Sequence, residues 1–521
     1  MNQTTTQVRM AAPQLPGQPR RALVLPGGGL RLSYQVGILL ALEQVGLGFQ
    51  IMDGTSGGSL NMSMLLCDLA PQDMARRWRS LRLQDTVSFL PLKDYLQADQ
   101  IGALADGRGF RDKVLPHLGI DIDRIRAASG VQASYNLLDY GAKAVVVIPS
   151  TAIDADLLIA GMSLPGVFPP LHRDGKTYLD TGFVQDANLS EAVRQGAEEL
   201  WLLWGLGNTG VYRGDPLHLY VQMLEMSANA ALNQQLAAIT DLNRRIAKGD
   251  SPFGQTRAIT VHVVRPEHAL PLDPDLFSGR IDHATLIDMG YADAWQYLSQ
   301  AGLHQPGGPV QVPPATDNPT RMVDPVPGVR LQFEFAGDLT MASGGARLPV
   351  RLNLCVHVHD LDQFIAAPAP QALLTGRLQG APLAAAGTEP QPLPLAYGTE
   401  PQPVRGGSYR QSMLPDGSRE IVYRMQLRHG DRWLALVATQ TLRDDPGFDR
   451  WQDLSTLSVK LGDGDIAWAS GDLRLSLPDL THWLGSVQAT ETRSLAEATR
   501  TVGRYARFFL RELSDVYGWT G

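Results

Sequence analysis

The sequence predicts an α/β domain with a mainly parallel sheet, followed by a β-rich, sandwich-like domain that ends in a helical segment. Over residues 21–300, short apolar runs such as 22–25 and 200–204 alternate with amphipathic helical patterns. This alternation is typical of parallel sheets whose strands are joined by helices. Further along, apolar residues from Val350 to Val358 recur with a period of two, which favours half-buried strands.

The chain divides by composition into four predicted segments. Residues 1–20 are polar and predict a flexible tail, and residues 21–304 form the α/β domain. Residues 305–328 are rich in proline and glycine and predict a linker, and residues 329–521 form the β-rich domain with its C-terminal helix. A chain of 521 residues exceeds the usual size of a single hydrophobic core, so more than one domain is expected.

Charge and hydropathy exclude several classes of function. The net charge is −8 and no long run of Lys or Arg occurs, which disfavours nucleic-acid binding. No apolar stretch approaches the ~20 residues of a membrane span, and the N-terminus lacks the apolar core of a signal peptide. The two cysteines, Cys67 and Cys355, exclude a disulfide framework. We therefore expect a cytoplasmic protein that contacts a membrane surface only transiently, and the oligomeric state stays open.

The segment Gly54-Thr55-Ser56-Gly57-Gly58 is the first candidate site. It follows a short apolar run and precedes an apolar helical pattern, which predicts a turn between a strand and a helix. A serine on such a turn is the nucleophile elbow of many hydrolases, and Gly54 and Gly58 supply the space that the sharp bend needs. The pattern indicates hydrolysis through a serine ester.

A second candidate is the triple glycine Gly27-Gly28-Gly29, which follows the predicted strand at residues 22–25. A dinucleotide-binding fingerprint would need glycine where Leu32 stands, and a phosphate-binding P-loop would need a Gly-Lys-Ser/Thr ending. Successive backbone amides can instead bind an oxyanion. We favour an oxyanion loop, with a structural tight turn as the alternative.

A serine nucleophile needs a base, and Asp180 is the candidate. Asp174-Gly175 is typical of a hairpin turn, which gives Asp174 a structural role. Asp180 follows the second arm of that hairpin and lies two residues before Gly182, whose small size permits close approach of another loop. From spacing alone, Asp180 fits a catalytic base and a turn or cap carboxylate equally well.

These motifs, taken in order, resemble those of the patatin-like phospholipases. The set comprises Gly27-Gly28-Gly29-x-Arg31, Gly54-Thr55-Ser56-Gly57-Gly58, Pro165-Gly166-Val167-Phe168-Pro169-Pro170 and Asp180-x-Gly182. The resemblance implies a patatin-like three-layer domain over residues 21–304 and a Ser–Asp dyad without histidine. Ser56 would attack a lipid ester, Asp180 would accept the proton, and the loop amides would hold the oxyanion, with Arg31 as the basic residue of that loop. It implies no cofactor and no metal.

The sequence departs from the family pattern twice. Leu32 stands where the glycine loop usually ends in Gly, and Thr181 stands where Asp-Gly-Gly or Asp-Gly-Ala is usual. Neither change removes a reacting group. They leave open a second hypothesis, a non-catalytic protein that binds lipid in a degenerate site.

Histidines raise two further alternatives. His218, His262 or His268 would complete a Ser-His-Asp triad in the chain order of the α/β-hydrolases, although no other α/β-hydrolase feature favours one of them. His357 and His359 share a strand face, but no third metal ligand occurs at a readable spacing, so solvent-facing residues are expected.

The β-rich part carries no recognised catalytic motif. Its pattern, which includes residues 331–337 and 451–456, weakly resembles a module that accompanies some cholesterol-oxidase-like flavoproteins. This resemblance implies a role near lipid substrates, and a purely structural companion domain is the alternative.

Overall fold

The structure is a computed structural model, in which the chain forms two compact units. Residues 1–208 and 214–323 form the first unit, and residues 209–213 and 324–521 form the second. The residues described are 10, 17–82, 88–89, 105–206, 210–271, 281–303, 320–322, 325–342, 345–380, 400–430, 432–445, 450–464, 466–476 and 486–518. Most of the predicted tail (1–20) and of the predicted linker (305–328) lies outside these residues.

The first unit is built on a mixed sheet with helices between its strands. Its strands are β1 (Arg21–Leu25), β2 (Ile51–Thr55), β3 (Ser88–Phe89), β4 (Ala105–Asp106), β5 (Gln132–Asp139), β6 (Ala144–Pro149), β7 (Leu171–Arg173), β8 (Lys176–Leu179), β9 (Glu199–Leu203) and β10 (Thr260–Val264). Its helices are α1 (Ser33–Gln44), α2 (Gly58–Leu66), α3 (Pro71–Ser80), α4 (Leu115–Leu118), α5 (Ile122–Ala127), α6 (Ala155–Ala160), α7 (Leu189–Arg194), α8 (Pro216–Ile246) and α9 (His283–Gln300).

The main sheet has the order β10-β9-β1-β2-β5-β8-β7, with β6 also paired to β5. The five strands from β10 to β5 are parallel to their neighbours, and β6, β7 and β8 add antiparallel pairs. Ala22 and Val24 pack on one face in a core that includes Ala192 of α7 and Leu232 of α8. Leu23 alternates with them and is also fully buried, so both faces of the sheet are covered. The predicted mainly parallel α/β domain is confirmed.

The register of the sheet brings the three candidate segments together. Leu25 at the end of β1 pairs with Gly54 near the end of β2, so the glycine loop and the serine turn leave the sheet side by side. Asn136 of β5 pairs with Thr55, two residues before Leu138, which pairs with Leu179 at the end of the antiparallel strand β8. The residue after β8 therefore emerges beside the carboxyl end of β2.

In its described residues, the second unit is an antiparallel sheet with three helices. Its strands are β11 (Gly328–Met341), β12 (Arg347–Val358), β13 (Gln371–Gly380), β14 (Gln402–Pro403), β15 (Arg405–Met413), β16 (Arg419–His429), β17 (Arg432–Leu442), β18 (Thr456–Asp463), β19 (Ile466–Arg474) and β20 (Gln488–Thr490). Its helices are α10 (Leu361–Ala366), α11 (Arg450–Ser455) and α12 (Leu495–Tyr517).

Eight of these strands close into a barrel. Each pairs with the next in chain order, leaving aside the short strand β14, and β19 pairs with β11 to complete the ring. Tyr505, Leu513 and Tyr517 of α12 belong to the same buried core as the apolar strand faces. The predicted β-rich domain with a terminal helix is confirmed, and its sheet is one closed surface instead of two facing sheets. Alternating apolar residues are common to both arrangements, and pairing between the first and last strands decides between them.

Within the described residues, no helix combines the length and the hydropathy that a membrane crossing requires.

Candidate active site

Ser56 stands on a strained turn between β2 and α2. Its backbone φ of +50° lies in the left-handed region, which is uncommon for residues other than glycine and costs about 1–3 kcal/mol. A Cβ built on Gly58 would lie 2.1 Å from the carbonyl oxygen of Leu25, so only glycine fits at the start of α2. At Gly54, a Cβ would lie 3.0 Å from Cα of Ser59. The glycines of the predicted elbow therefore allow close approach of backbone to backbone.

Asp180 is the hydrogen-bond partner of the serine. The Ser56 hydroxyl donates to Oδ2 of Asp180 at 2.5 Å, and Oδ1 of Asp180 accepts from the Gly182 amide at 2.8 Å. Asp180 is fully buried, and this burial raises its pKa to about 6, although both hydrogen bonds act to lower it. Gly182 thus orients the carboxylate, and the carboxylate remains largely ionised at neutral pH.

The glycine loop lies against this pair. A Cβ built on Gly27 would lie 2.8 Å from Ser56 Cβ and 3.2 Å from its hydroxyl oxygen, so a side chain at position 27 would collide with Ser56. Gly29 has a φ of +59° and begins a short 3-10 turn that ends at Leu32. Arg31 is buried, and its Nε donates to the carbonyl oxygen of Gly28 at 3.0 Å. Arg31 therefore holds the shape of the loop.

A second buried carboxyl group, which the sequence analysis missed, lies at the same place. Asp186 follows Asp180 by six residues, and its Oδ1 accepts from the Gly27 amide at 3.2 Å. Burial first, and the nearby charge of Asp180 second, raise the pKa of Asp186 to about 8. Spacing alone gave no signal for it, because nothing local in the sequence shows that this carboxyl group is buried.

A network of buried polar side chains contacts β2, the strand that leads into the Ser56 turn. The sequence analysis did not predict this network. Asp53 of β2 is fully buried, and it accepts from the Ser134 hydroxyl and from Nδ2 of Asn136, each at 2.6 Å. Burial raises the pKa of Asp53 to about 7, although these hydrogen bonds act to lower it. Nδ2 of Asn188 donates to Oδ1 of Asn136 at 2.8 Å, which ties the start of α7 to β5. The network fixes β2, β5 and α7 relative to one another.

The two departures from the family pattern leave the pair intact. Leu32 is buried, and its Cδ1 lies only 2.3 Å from a Cβ built on Gly57, so Leu32 fits because residue 57 is glycine. Thr181 is fully buried, and its carbonyl oxygen accepts from the amides of Val184 and Gln185, each at 2.8 Å. It thereby starts the turn that leads to Asp186.

The candidate histidines have other partners. His262 stacks on Trp201 with ring centroids 4.1 Å apart and hydrogen-bonds through Nδ1 to the Tyr297 hydroxyl at 2.9 Å. Burial lowers the pKa of His262 to about 4. His218 hydrogen-bonds to Asp215 at 2.7 Å, and burial lowers the pKa of His268. In the part of the chain that the structure describes, no histidine hydrogen-bonds to the predicted nucleophile or to its carboxylate partner.

The prediction that His357 faces solvent is wrong, and His359, which follows the end of β12, is half-buried. His357 is 4% exposed, and its Nε2 lies 2.9 Å from Oγ1 of Thr375, while its ring stacks on that of His359. Among the described residues, no group of three or more His, Cys, Asp or Glu side chains is placed to hold a metal ion.

Comparison with known proteins finds a family similarity within the first unit. The patatin-like phospholipase family model matches residues 23–193, a range that contains the glycine loop, the serine turn, Asp180 and Asp186. This part of the chain is similar to the patatin-like phospholipases. The resemblance of the second unit to a flavoprotein module is not confirmed.

The curated relatives are distant and much longer than this chain. Patatin-like phospholipase domain-containing protein 7 of Rattus norvegicus is 26% identical over 245 residues, which cover 40% of this chain and 16% of the relative. Lysophospholipase NTE1 of Kluyveromyces lactis is 29% identical over 184 residues, 34% of this chain and 12% of the relative. Lysophospholipase nte1 of Aspergillus oryzae is 25% identical over 293 residues, 53% of this chain and 18% of the relative. The matches thus span less than a fifth of each relative.

Among solved structures, VipD from Legionella pneumophila aligns with a TM-score of 0.29 and 11% identity, over 56% of this chain and 69% of that chain.

Proposed function

We propose that this protein is a serine hydrolase of lipid acyl esters that uses Ser56 and Asp180 as a catalytic dyad. The observation that carries the proposal is the 2.5 Å hydrogen bond from the Ser56 hydroxyl to Asp180 Oδ2, made on a strained turn beside a glycine loop. A nucleophile within hydrogen-bond reach of a base, with the base oriented by a third group, is the arrangement that activates serine. Here the Gly182 amide is the orienting group.

The proposed reaction has two halves. Ser56 Oγ attacks the ester carbonyl carbon while its proton passes to Asp180 Oδ2. The negatively charged carbonyl oxygen is held by amides of the glycine loop. When the tetrahedral intermediate collapses, the C–O bond to the alcohol breaks, and the alcohol leaves with the proton from Asp180. Water then attacks the acyl-Ser56 ester with Asp180 as base, which releases the fatty acid and restores the serine.

The glycine-loop amides differ in what they already bind. Because the Gly27 amide donates to Asp186, we assign the oxyanion to the amides of Gly28 and Gly29. The role of Gly27 is then to leave room for Ser56, because a Cβ at position 27 would collide with that residue. Proton transfer and oxyanion binding are sufficient for ester hydrolysis, so the mechanism requires no cofactor.

The substrate class comes from the relatives. Several carry lysophospholipase or phospholipase in their names, so we propose phospholipids and lysophospholipids as the ester substrates. Such substrates present themselves in micelles or membranes, and transient contact with a lipid surface is part of the proposal. Cytoplasmic location stays a prediction from the sequence.

The test compares Ser56→Ala with Ser80→Ala. Ser80 is exposed, and its hydroxyl pairs with Nε2 of His117 at 3.0 Å, so its replacement removes a serine–histidine pair that includes neither Ser56 nor Asp180. We expect the native protein and Ser80→Ala to release fatty acid from lysophosphatidylcholine micelles and to bind a fluorophosphonate probe covalently. Ser56→Ala should do neither. Fatty acid release by Ser56→Ala at the native rate would refute the assignment of the nucleophile.

A further inference from the structure

Asp186 brings a second carboxyl group to the site, and the proposed mechanism gives it no role. It is 5% exposed, its Oδ1 binds the Gly27 amide, and its Oδ2 has no hydrogen-bond partner within the described part of the chain. A buried carboxylate oxygen without a donor is costly, whereas a neutral acid costs much less. The environment of Asp186 therefore suits the protonated form.

The two carboxyl groups are close neighbours. A Cβ built on Gly182 would lie 3.2 Å from Asp180 Oδ1 and 3.6 Å from Asp186 Oδ1, so these two oxygens are separated by no more than the sum of those distances. Asp186 Oδ1 also lies 2.5 Å from a Cβ built on Gly27, next to Ser56. Two carboxylates at such a distance repel each other, and a buried pair tends to hold one proton between them.

We propose that Asp186 is a positioning residue that remains a neutral acid during catalysis, anchors the first glycine of the loop, and leaves Asp180 as the single negative charge beside Ser56. This inference rests on the proposed function. Asp180 accepts the Ser56 hydroxyl and the Gly182 amide, two donors that stabilise a charge, whereas Asp186 has only the Gly27 amide. The hydrogen bonds thus assign the charge to Asp180 and the proton to Asp186.

Besides the two carboxyl groups themselves, Arg31 and Tyr220 are the ionisable side chains of the described residues that interact with this pair. The charge of Asp180 raises the pKa of Asp186, and Arg31 of the glycine loop lowers it by a smaller effect than burial. On α8, burial raises the pKa of Tyr220 to about 12, so this phenol stays neutral over the range of interest. When Asp186 ionises at alkaline pH, its charge opposes the oxyanion that forms beside it, and acylation slows.

The experiment is a pH profile of kcat/KM for p-nitrophenyl butyrate in native protein, Asp186→Asn and Asp186→Ala. The kcat/KM of the native protein should depend on pH along a bell-shaped curve. It should fall below about pH 6, where Asp180 becomes protonated, and above about pH 8, where Asp186 ionises. Asn is neutral, and its Oδ1 can still accept from Gly27. Asp186→Asn should therefore keep native activity near pH 7 to within about threefold and lose the alkaline limb. Asp186→Ala lacks the acceptor and should lose at least about tenfold at pH 7.

A structural role alone would lower activity without changing the shape of the profile. The inference is overturned if native activity stays flat from pH 7 to 9.5, or if Asp186→Asn keeps the alkaline limb of the native protein. The native profile suffices for the first outcome even if a variant does not fold.

A second readout does not need enzyme activity. A carboxyl group whose pKa is higher folded than unfolded favours the folded state fully only below its unfolded pKa, near 3.8, and this contribution is lost as the pH rises to about 8. Asn does not ionise, so Asp186→Asn does not undergo this loss of stability. The melting temperature of the variant minus that of the native protein should therefore increase between pH 5 and 8 and then stay constant. A difference independent of pH would refute the neutral acid. An inactive native protein that shows the increase would refute the proposed function alone.

Discussion

Replacement of Asp180 by Asn tests the base of the proposed dyad most directly. Asn has nearly the same shape, and its Oδ1 can still accept from the Gly182 amide, which lies 2.8 Å from the carboxylate in the native structure. Its side chain cannot accept the serine proton. The variant therefore removes the chemistry of the base while it keeps the packing of a fully buried position.

The size of the effect follows from the geometry. The Ser56–Asp180 distance of 2.5 Å places the base within reach of the proton, and the raised pKa of about 6 brings its strength closer to neutral pH. A general base so placed contributes about 10²–10⁴-fold. Because each factor of ten corresponds to about 1.4 kcal/mol, Asp180→Asn should add about 3–5 kcal/mol to the barrier.

The assay is the release of p-nitrophenol from p-nitrophenyl butyrate, followed in single-turnover and steady-state experiments. Asp174→Asn is the matched control. Asp174 is exposed in the turn of the same β7–β8 hairpin with a φ of +52°, a conformation that Asn tolerates well. The control should keep native kcat and native melting temperature. If Asp180→Asn folds normally and retains more than about a tenth of native kcat, the base lies elsewhere and the dyad is wrong.

Two further changes test the packing. Gly58→Ala should destabilise the first unit by at least about 1–3 kcal/mol in urea unfolding, because its Cβ would meet the Leu25 carbonyl at 2.1 Å, whereas Gly214→Ala, with open space around it, should be neutral. Glu512→Ala should destabilise the second unit by about 1–3 kcal/mol, since it removes the nearer ion-pair partner of the buried Arg419 cation and leaves Asp515 at 4.0 Å. Arg419→Met combined with Glu512→Leu should recover most of that loss, and a double variant as unstable as Glu512→Ala would contradict this explanation.

The first unit could be predicted from sequence because its signals are local. Strands β1, β9 and β10 of the parallel core are short, mostly apolar runs, whereas β5 mixes polar and apolar residues and was not predicted. The strand–turn–helix pattern around Ser56 needs only about ten consecutive residues. The closure of the second unit is different. Ala336 pairs with Arg474 across the seam between β11 and β19, and no local pattern specifies a partner so far along the chain. The alternation of apolar and polar residues predicted the strands correctly, but it did not show that the strands close into a barrel.

The residues of the candidate site also fall into those that the sequence predicted and those that it did not. Ser56 and the triple glycine could be predicted because each follows an apolar run and precedes a helical pattern, and because the motifs occur in the order seen in a known family. Asp53 and Asp186 carry no such mark, although the structure buries both among the elements that hold the elbow. What distinguishes them from surface acids is the loss of solvent, which depends on segments distant in sequence: Ser134 and Asn136 for Asp53, and Gly27 for Asp186.

The departures at Leu32 and Thr181 bear on whether the site is catalytic or degenerate. A degenerate site would be expected to lose the alignment of the serine with its base, because no turnover would maintain a strained turn at a cost in stability. Here Ser56 keeps its left-handed backbone and its contact with Asp180, and Leu32 occupies space that Gly57 leaves for it. Thr181 is accommodated in the turn after the base, where its carbonyl oxygen binds two amides. Both residues are therefore accommodated without breaking the Ser56–Asp180 contact of the proposed dyad, which favours a catalytic site over a binding site alone.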